Sequence, residues 1–277
     1  MPLMNRGLFL EVSYMIRSFF TWTAWPMAAP VPYSFLHIFL AAVGSLAAGF
    51  AAARLAAASI KPERVLFGCG LLLAIMELYK QGFLYLVVNG GHYDWWYFPF
   101  QLCSVPMYLC LIYPLVRPFP GKRARIFAEI IPVFLQDFGL LGGSMALAVP
   151  DGFLYPYWAL TIHGFLWHFL LIFLSLYCKK KGLADQSGRG FARMLPLYFL
   201  CCGIAAGINT AVQLTVYPDS YADMFYINCF FPSEQPLFHQ ISLALGNGWG
   251  HLAYLLASCA GAYLVHRLYR LLNCHPI

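Results

Sequence analysis

Seven apolar stretches, at 34–58, 65–88, 98–116, 126–148, 157–177, 195–216 and 249–269, leave this chain of 277 residues few ways to fold. Each is about 20 residues long, enough at ~1.5 Å per residue to cross the ~30 Å hydrocarbon core of a bilayer. Charged residues make up only 10% of the sequence and hydrophobic ones 61%. Soluble domains carry about 25% charged residues, so a water-soluble globule is excluded. The runs are also longer than the strands of a membrane barrel and do not alternate as those strands do. The expectation is an all-α, polytopic integral membrane protein with seven transmembrane helices in one bundle.

A net charge of +6 would suit a nucleic-acid partner, but its placement points to topology instead. All Lys and Arg residues except Arg6, Arg17 and Lys80 cluster in or beside 54–64, 117–125, 179–193 and 267–270. The connections at 89–97, 149–156 and 217–240 contain neither residue type. By the positive-inside rule the basic side is cytoplasmic, which puts the N-terminus outside and the C-terminus inside. Residues 1–33 mix aromatic and apolar positions with Arg6, Glu11 and Arg17 and end in Pro26, Pro30 and Pro32. Those charges make a crossing costly, so this segment reads as an interfacial helix on the outer face, followed by one transmembrane domain over 34–277.

The nine cysteines are odd in number, and Cys69, Cys103, Cys110, Cys201, Cys202 and Cys259 fall inside apolar runs. No disulfide framework is expected from them. Small residues in the first span, Gly44, Ala47, Ala48, Gly49 and Ala51 to Ala53, suit close helix packing.

Ionisable side chains at membrane depth face the bundle interior and mark either packing pairs or functional sites. Glu77 and Lys80, at i and i+3, are neighbours on one helix face and are read as a mutually neutralising pair or a headgroup contact. Gln136 and Asp137 add a third buried charge beside the proline at 132. His163 and His168 are separated by about 140° of helix rotation, a poor spacing for chelating one metal. Asn209 and Gln213 lie at i and i+4.

The run at 98–116 carries one polar knot, Gln101, Cys103 and Ser104. Read as a single helix, it would be distorted at Pro106, which has no N–H for the Leu102 carbonyl. A cysteine in an apolar helix is most often a small hydrophobe. Depth argues for more. Counted from the outer end of their spans, Cys103 and His163 both lie about 8 to 9 Å below the interface. Asn209 and Lys80 come to nearly the same level, where the ester carbonyls of outer-leaflet phospholipids reside. A thiolate is the nucleophile and a neighbouring imidazole a common means of producing it.

PFQLCS at 99–104, followed about sixty residues on by Ile162, His163 and Gly164, resembles the YwaF-like family of bacterial polytopic membrane proteins. The chain is also similar to that family's animal counterpart, a cysteine-dependent transmembrane acyltransferase acting on phospholipids. LGGSMALAVPDGFLYPYW at 141–158 shares in the likeness, which covers most of the chain after residue 34. FYINCFFPSEQP at 225–236 is a looser version of the family's asparagine–tyrosine–methionine stretch. The resemblance implies a Cys103–His163 pair that moves an acyl chain between phospholipids through an acyl-cysteine, in a bacterial cytoplasmic membrane.

The reading is therefore a coenzyme-A-independent phospholipid transacylase whose partners are a membrane phospholipid and a lysophospholipid. Gln101, Ser104 and Asn209 are the candidate substrate or oxyanion donors. No cofactor, metal, nucleic acid or obligatory protein partner is expected. The rival is a transporter or receptor in which Glu77, Lys80, Asp137 and the histidines line one polar path.

Overall fold

The computed structural model of the protein describes residues 3–273. Residues 1, 2 and 274–277, which belong to the two ends of the expected domain division, lie outside the described residues. The elements are α1 (Leu3–Trp22), α2 (Phe35–Ala57), α3 (Pro62–Phe83), α4 (Val105–Val116), α5 (Lys122–Ala148), α6 (Trp158–Lys180), α7 (Gly188–Thr215), α8 (Pro236–Leu245) and α9 (Asn247–Asn273). A π-helical turn at Leu84–Val88 prolongs α3, and short 3-10 turns sit at Trp95–Tyr97 and Met224–Tyr226. The described chain is all-α. Its nearest approach to sheet is one isolated bridge between Pro26 and Tyr157.

Among the described residues, five helices are long and apolar enough to cross a membrane: α2, α3 with its π turn, α5, α6 and α7. α5 and α6 form the centre, with α2 against α6 and with α4, α7 and α9 around α5. Small residues let their backbones meet. A Cβ at Gly139 would lie 3.1 Å from the Leu171 carbonyl oxygen, and one at Gly143 3.0 Å from that of His168. The small stripe of α2 works in the same way, Gly44 lying under the Phe169 ring and Ala48 and Ala52 buried. With lipid on the outside, such close van der Waals packing replaces the hydrophobic drive between helices.

The 98–116 run departs from the expected single helix. Only Val105–Val116 is helical, and residues 98–104 form an irregular turn. Pro106 does not distort a helix; it stands in the first turn of α4, where the missing N–H would have had no partner anyway. Twelve residues rise only about 18 Å, short of a bilayer core, and the rest of the run is non-helical backbone. In a membrane such backbone persists only where protein or a cavity surrounds it. Side chains supply its partners: Gln81 Nε2 donates to the Tyr97 carbonyl at 2.5 Å, Tyr108 Oη to that of Pro99 at 2.7 Å, and Trp167 Nε1 to that of Cys103 at 3.1 Å.

α1 lies beside the end of α3, its Phe20 ring over Gly82 and against Tyr79. Tyr79 Oη donates to Thr23 Oγ1 at 2.7 Å. Glu11 and Arg17 are exposed.

The α3–α4 contact provides a stability test. A Cβ at Gly70 would lie 2.8 Å from Cys110 Cβ and 2.9 Å from the Leu111 backbone nitrogen. Backbone cannot yield as a side-chain tip can, so Gly70→Ala is expected to cost about 1–3 kcal/mol of stability. Thermal unfolding in detergent micelles measures it, with Gly68→Ala, where a Cβ meets nothing within 4 Å, as the control.

Candidate functional site

At the end of the bundle that carries the loops free of Lys and Arg, a cavity of about 500 Å³ opens. The irregular 98–104 turn forms one wall, the first half of α6 another, and the 217–240 connection closes over it. Cys103, His163, Lys80, Gln101 and Ser104 all border it. Asn209, Gln136 and Asp137 do not, and Glu77 takes part through Lys80.

Trp167 holds this arrangement together. It stands one turn after His163 on α6, so both rings project from the same face. Their centroids are 5.5 Å apart with planes inclined by 26°. The same indole donates to the Cys103 carbonyl at 3.1 Å and lies 6.0 Å beneath Lys80 Nζ. His163 Nε2 is buried and has no hydrogen-bond partner among the described residues. Ser104, the next residue in the chain, borders the same cavity as Cys103. Cys103 and His163 thus border one cavity, and His163 keeps one nitrogen without a partner among the described residues; a thiol and an imidazole are the groups that proton abstraction followed by nucleophilic attack uses.

Lys80 Nζ meets Glu77 Oε1 at 2.9 Å, their side chains being 18% and 5% exposed. Gln81 Nε2 donates to the same carboxylate oxygen at 2.7 Å. His168, although about 140° from His163 round α6, also borders the cavity, which lies along the face of α6 between them. One of its nitrogens lies 2.7 Å from the Gly164 carbonyl oxygen. Among the described residues, no three His, Cys, Asp or Glu side chains gather as a metal site.

Gln101 and Asn209 act on the overlying loop. Asn209 accepts from the Met224 N–H at 2.6 Å and donates to the Met224 carbonyl at 3.1 Å. Gln101 accepts from the Phe225 N–H at 2.8 Å and donates to the Asp223 carbonyl, also at 2.8 Å. Between these two amide clamps Phe225 and Tyr226 adopt φ of 59° and 55°, a left-handed conformation costing roughly 1–2 kcal/mol per residue. The strained turn delivers Tyr226 to the cavity wall.

Asp223 makes this loop sensitive to pH. It is 3% exposed, and burial pushes its carboxyl from the ordinary 3.8 up to about 7, with the Asn228 N–H opposing and Glu234 adding to the rise. A value higher in the folded loop than in the open one favours the closed loop at low pH. That contribution is fully present below 3.8 and is lost as pH rises towards about 7. Hydrogen exchange across 222–228 should therefore be faster at pH 8 than at pH 5, after correction for intrinsic chemistry. Asp223→Asn, which keeps an acceptor for the Asn228 N–H, should remove the difference, and equal protection at both pH values in wild type would contradict this assignment.

Gln136 and Asp137 belong to a separate network at the basic end. Asp137 Oδ2 lies 2.9 Å from His266 Nδ1, and His266 Nε2 3.0 Å from the Ser187 carbonyl oxygen. Gln136 Nε2 donates to Asp137 Oδ1 at 2.8 Å, and Gln186 Nε2 to Gln136 Oε1 at 2.5 Å. Sequence reasoning missed His266 as the partner of Asp137, and no local pattern links positions 129 apart. It also missed Trp167, for which a signal existed: an aromatic four residues after a candidate histidine shares its face.

A family model, that of the TMEM164 family, matches residues 19–265. No curated protein and no solved structure matches the chain.

Proposed function

The chain belongs to the TMEM164 family and is a multi-pass membrane protein, and on that premise we propose that it is a phospholipid acyltransferase working through an acyl-cysteine. The observation that carries this reading is the shared cavity: Cys103 and His163 both border it, and His163 Nε2 has no hydrogen-bond partner among the described residues. His163 takes the Cys103 proton as sulfur attacks an ester carbonyl of a phospholipid. The carbonyl C–O bond breaks, and the departing lysophospholipid oxygen receives that proton. A hydroxyl of a second lysophospholipid then attacks the thioester, giving its proton to His163. The C–S bond breaks, and the proton returns to sulfur. Atoms and electrons balance without coenzyme A or another cofactor.

Ser104, adjacent to Cys103 in the chain and bordering the same cavity, is the oxyanion donor in this reading, a contribution typically worth about 3 kcal/mol. Gln101 and Asn209 each commit their carbonyl and one N–H to the loop, so their part in this reading is to hold the roof of the cavity. Separate networks for Glu77–Lys80 and for Gln136–Asp137–His266 weigh against a transporter or receptor, which needs one connected polar path.

The same reading places the cavity end outside. The seven crossings are the five long helices, α4 with its irregular approach, and α9, whose 27 residues extend about 40 Å. The N-terminus is outside and the C-terminus inside, in a bacterial cytoplasmic membrane. Purified protein given phosphatidylcholine with a labelled acyl chain and an unlabelled lysophospholipid should transfer label without added coenzyme A. Failure with every phospholipid donor, by protein that is monodisperse and folded, would overturn the proposal.

A further inference from the structure

The Glu77–Lys80 pair would be inert if each charge were satisfied only by the other, but the geometry is asymmetric. Glu77 Oε1 receives both Lys80 Nζ and Gln81 Nε2. Lys80 Nζ, with three N–H donors, makes one ion pair, at 2.9 Å, and otherwise lies over the Trp167 ring at 6.0 Å. The lysine is the more exposed partner and borders the cavity, whereas Glu77 is 4% exposed and does not. Lys80 and Glu234 are the only Lys, Arg, Asp or Glu residues bordering the cavity among the described residues. The carboxylate therefore holds the ammonium from a position off the cavity, while the lysine itself borders it.

We infer that Lys80 is a binding site for the phosphate diester anion of a glycerophospholipid, held beside Cys103 through the indole of Trp167. This assignment rests on the acyl-transfer reading for placing a lipid in the cavity. A phosphate diester carries the permanent negative charge that a poorly solvated ammonium attracts, and it lies only a few bonds from the acyl esters of the same glycerol. Trp167 touches Lys80, His163 and the Cys103 carbonyl at once. A phosphate held at Lys80 thus brings an ester carbonyl next to the thiol, and the low local dielectric strengthens the contact. Lys80 serves as a specificity residue that selects lipids bearing a phosphate over neutral glycerides.

Competition against a fluorescent phospholipid bound to the purified protein in neutral detergent tests this. The competitors are a phospholipid, a diacylglycerol with the same chains, and soluble glycerophosphocholine. Wild type should prefer the phospholipid to the diacylglycerol by at least about tenfold, the size of one charge-assisted hydrogen bond, and glycerophosphocholine should not compete. The double variant Glu77→Gln/Lys80→Met, which strands no charge, should lose the preference, and Lys80→Arg should keep it. Cys103→Ala should retain the preference whether or not wild type transfers acyl chains, so failure of the enzyme reading and failure of this one are separable. An undiminished preference in the double variant, or its loss in folded Lys80→Arg, would overturn the assignment. Competition by glycerophosphocholine as strong as by the intact lipid would instead make this a site for free phosphate esters and equally overturn it.

Discussion

Cys103→Ala is expected to reduce acyl transfer to the protein-free background, whereas Cys110→Ala, one heptad further on, should leave it close to the wild-type rate. The contrast follows from position. Cys103 sits in the turn before α4 and borders the cavity, with Trp167 holding its carbonyl. Cys110 is fully buried and packs against Gly70 in the α3–α4 contact, with no access to the cavity. The chain has nine cysteines, so a loss confined to one of them is informative. His163→Ala should slow transfer by at least about 100-fold, the lower range for removing a general base. Binding of the fluorescent phospholipid should survive that change, because the lysine and the cavity walls remain. Rates come from appearance of labelled product lipid over time in reconstituted vesicles.

Lys80→Met alone is expected to destabilise the protein by about 3–5 kcal/mol, because it leaves a buried carboxylate without its counter-charge. Glu77→Gln/Lys80→Met should recover most of that loss, as both charges go together. Gln81 supplies Glu77 with one neutral hydrogen bond at 2.7 Å, too little to replace an ion pair. The other carboxylate oxygen, Oε2, is buried and has no hydrogen-bond partner among the described residues. Thermal unfolding in micelles, with all variants in the same detergent, measures the difference. A double variant no more stable than the single one would show that Glu77 does not depend on Lys80 for neutralisation.

Much of the architecture is legible because a bilayer imposes length and apolarity on whatever crosses it. The runs at 34–58, 126–148, 157–177 and 195–216 each fall on one long helix. The 98–116 run was harder to read, since apolar character reports an apolar surrounding and not a helix. The proline at 99 and the one at 106 bracket its non-helical part, and the second marks the start of α4. Cys103 is therefore carried by a turn, a placement that frees its carbonyl for Trp167.

The amides show the opposite limit. Gln101 and Asn209 read as oxyanion donors in the sequence, yet their hydrogen-bond partners are backbone N–H and carbonyl groups of the loop at 223–225. A buried amide pairs with whatever donors and acceptors surround it, and spacing along the chain does not say which. Asp137 and His266 meet for the same reason, through folding that no periodicity records.

An acyl group carried by Cys103 in transit should be visible to intact-protein mass spectrometry after brief incubation with donor phospholipid and no acceptor. Wild type should gain one acyl mass, removed by neutral hydroxylamine, mapped to Cys103 by proteolysis, retained in Cys110→Ala and missing from Cys103→Ala. Acyl transfer at the wild-type rate by Cys103→Ala, or an adduct mapped to another residue, would contradict this assignment.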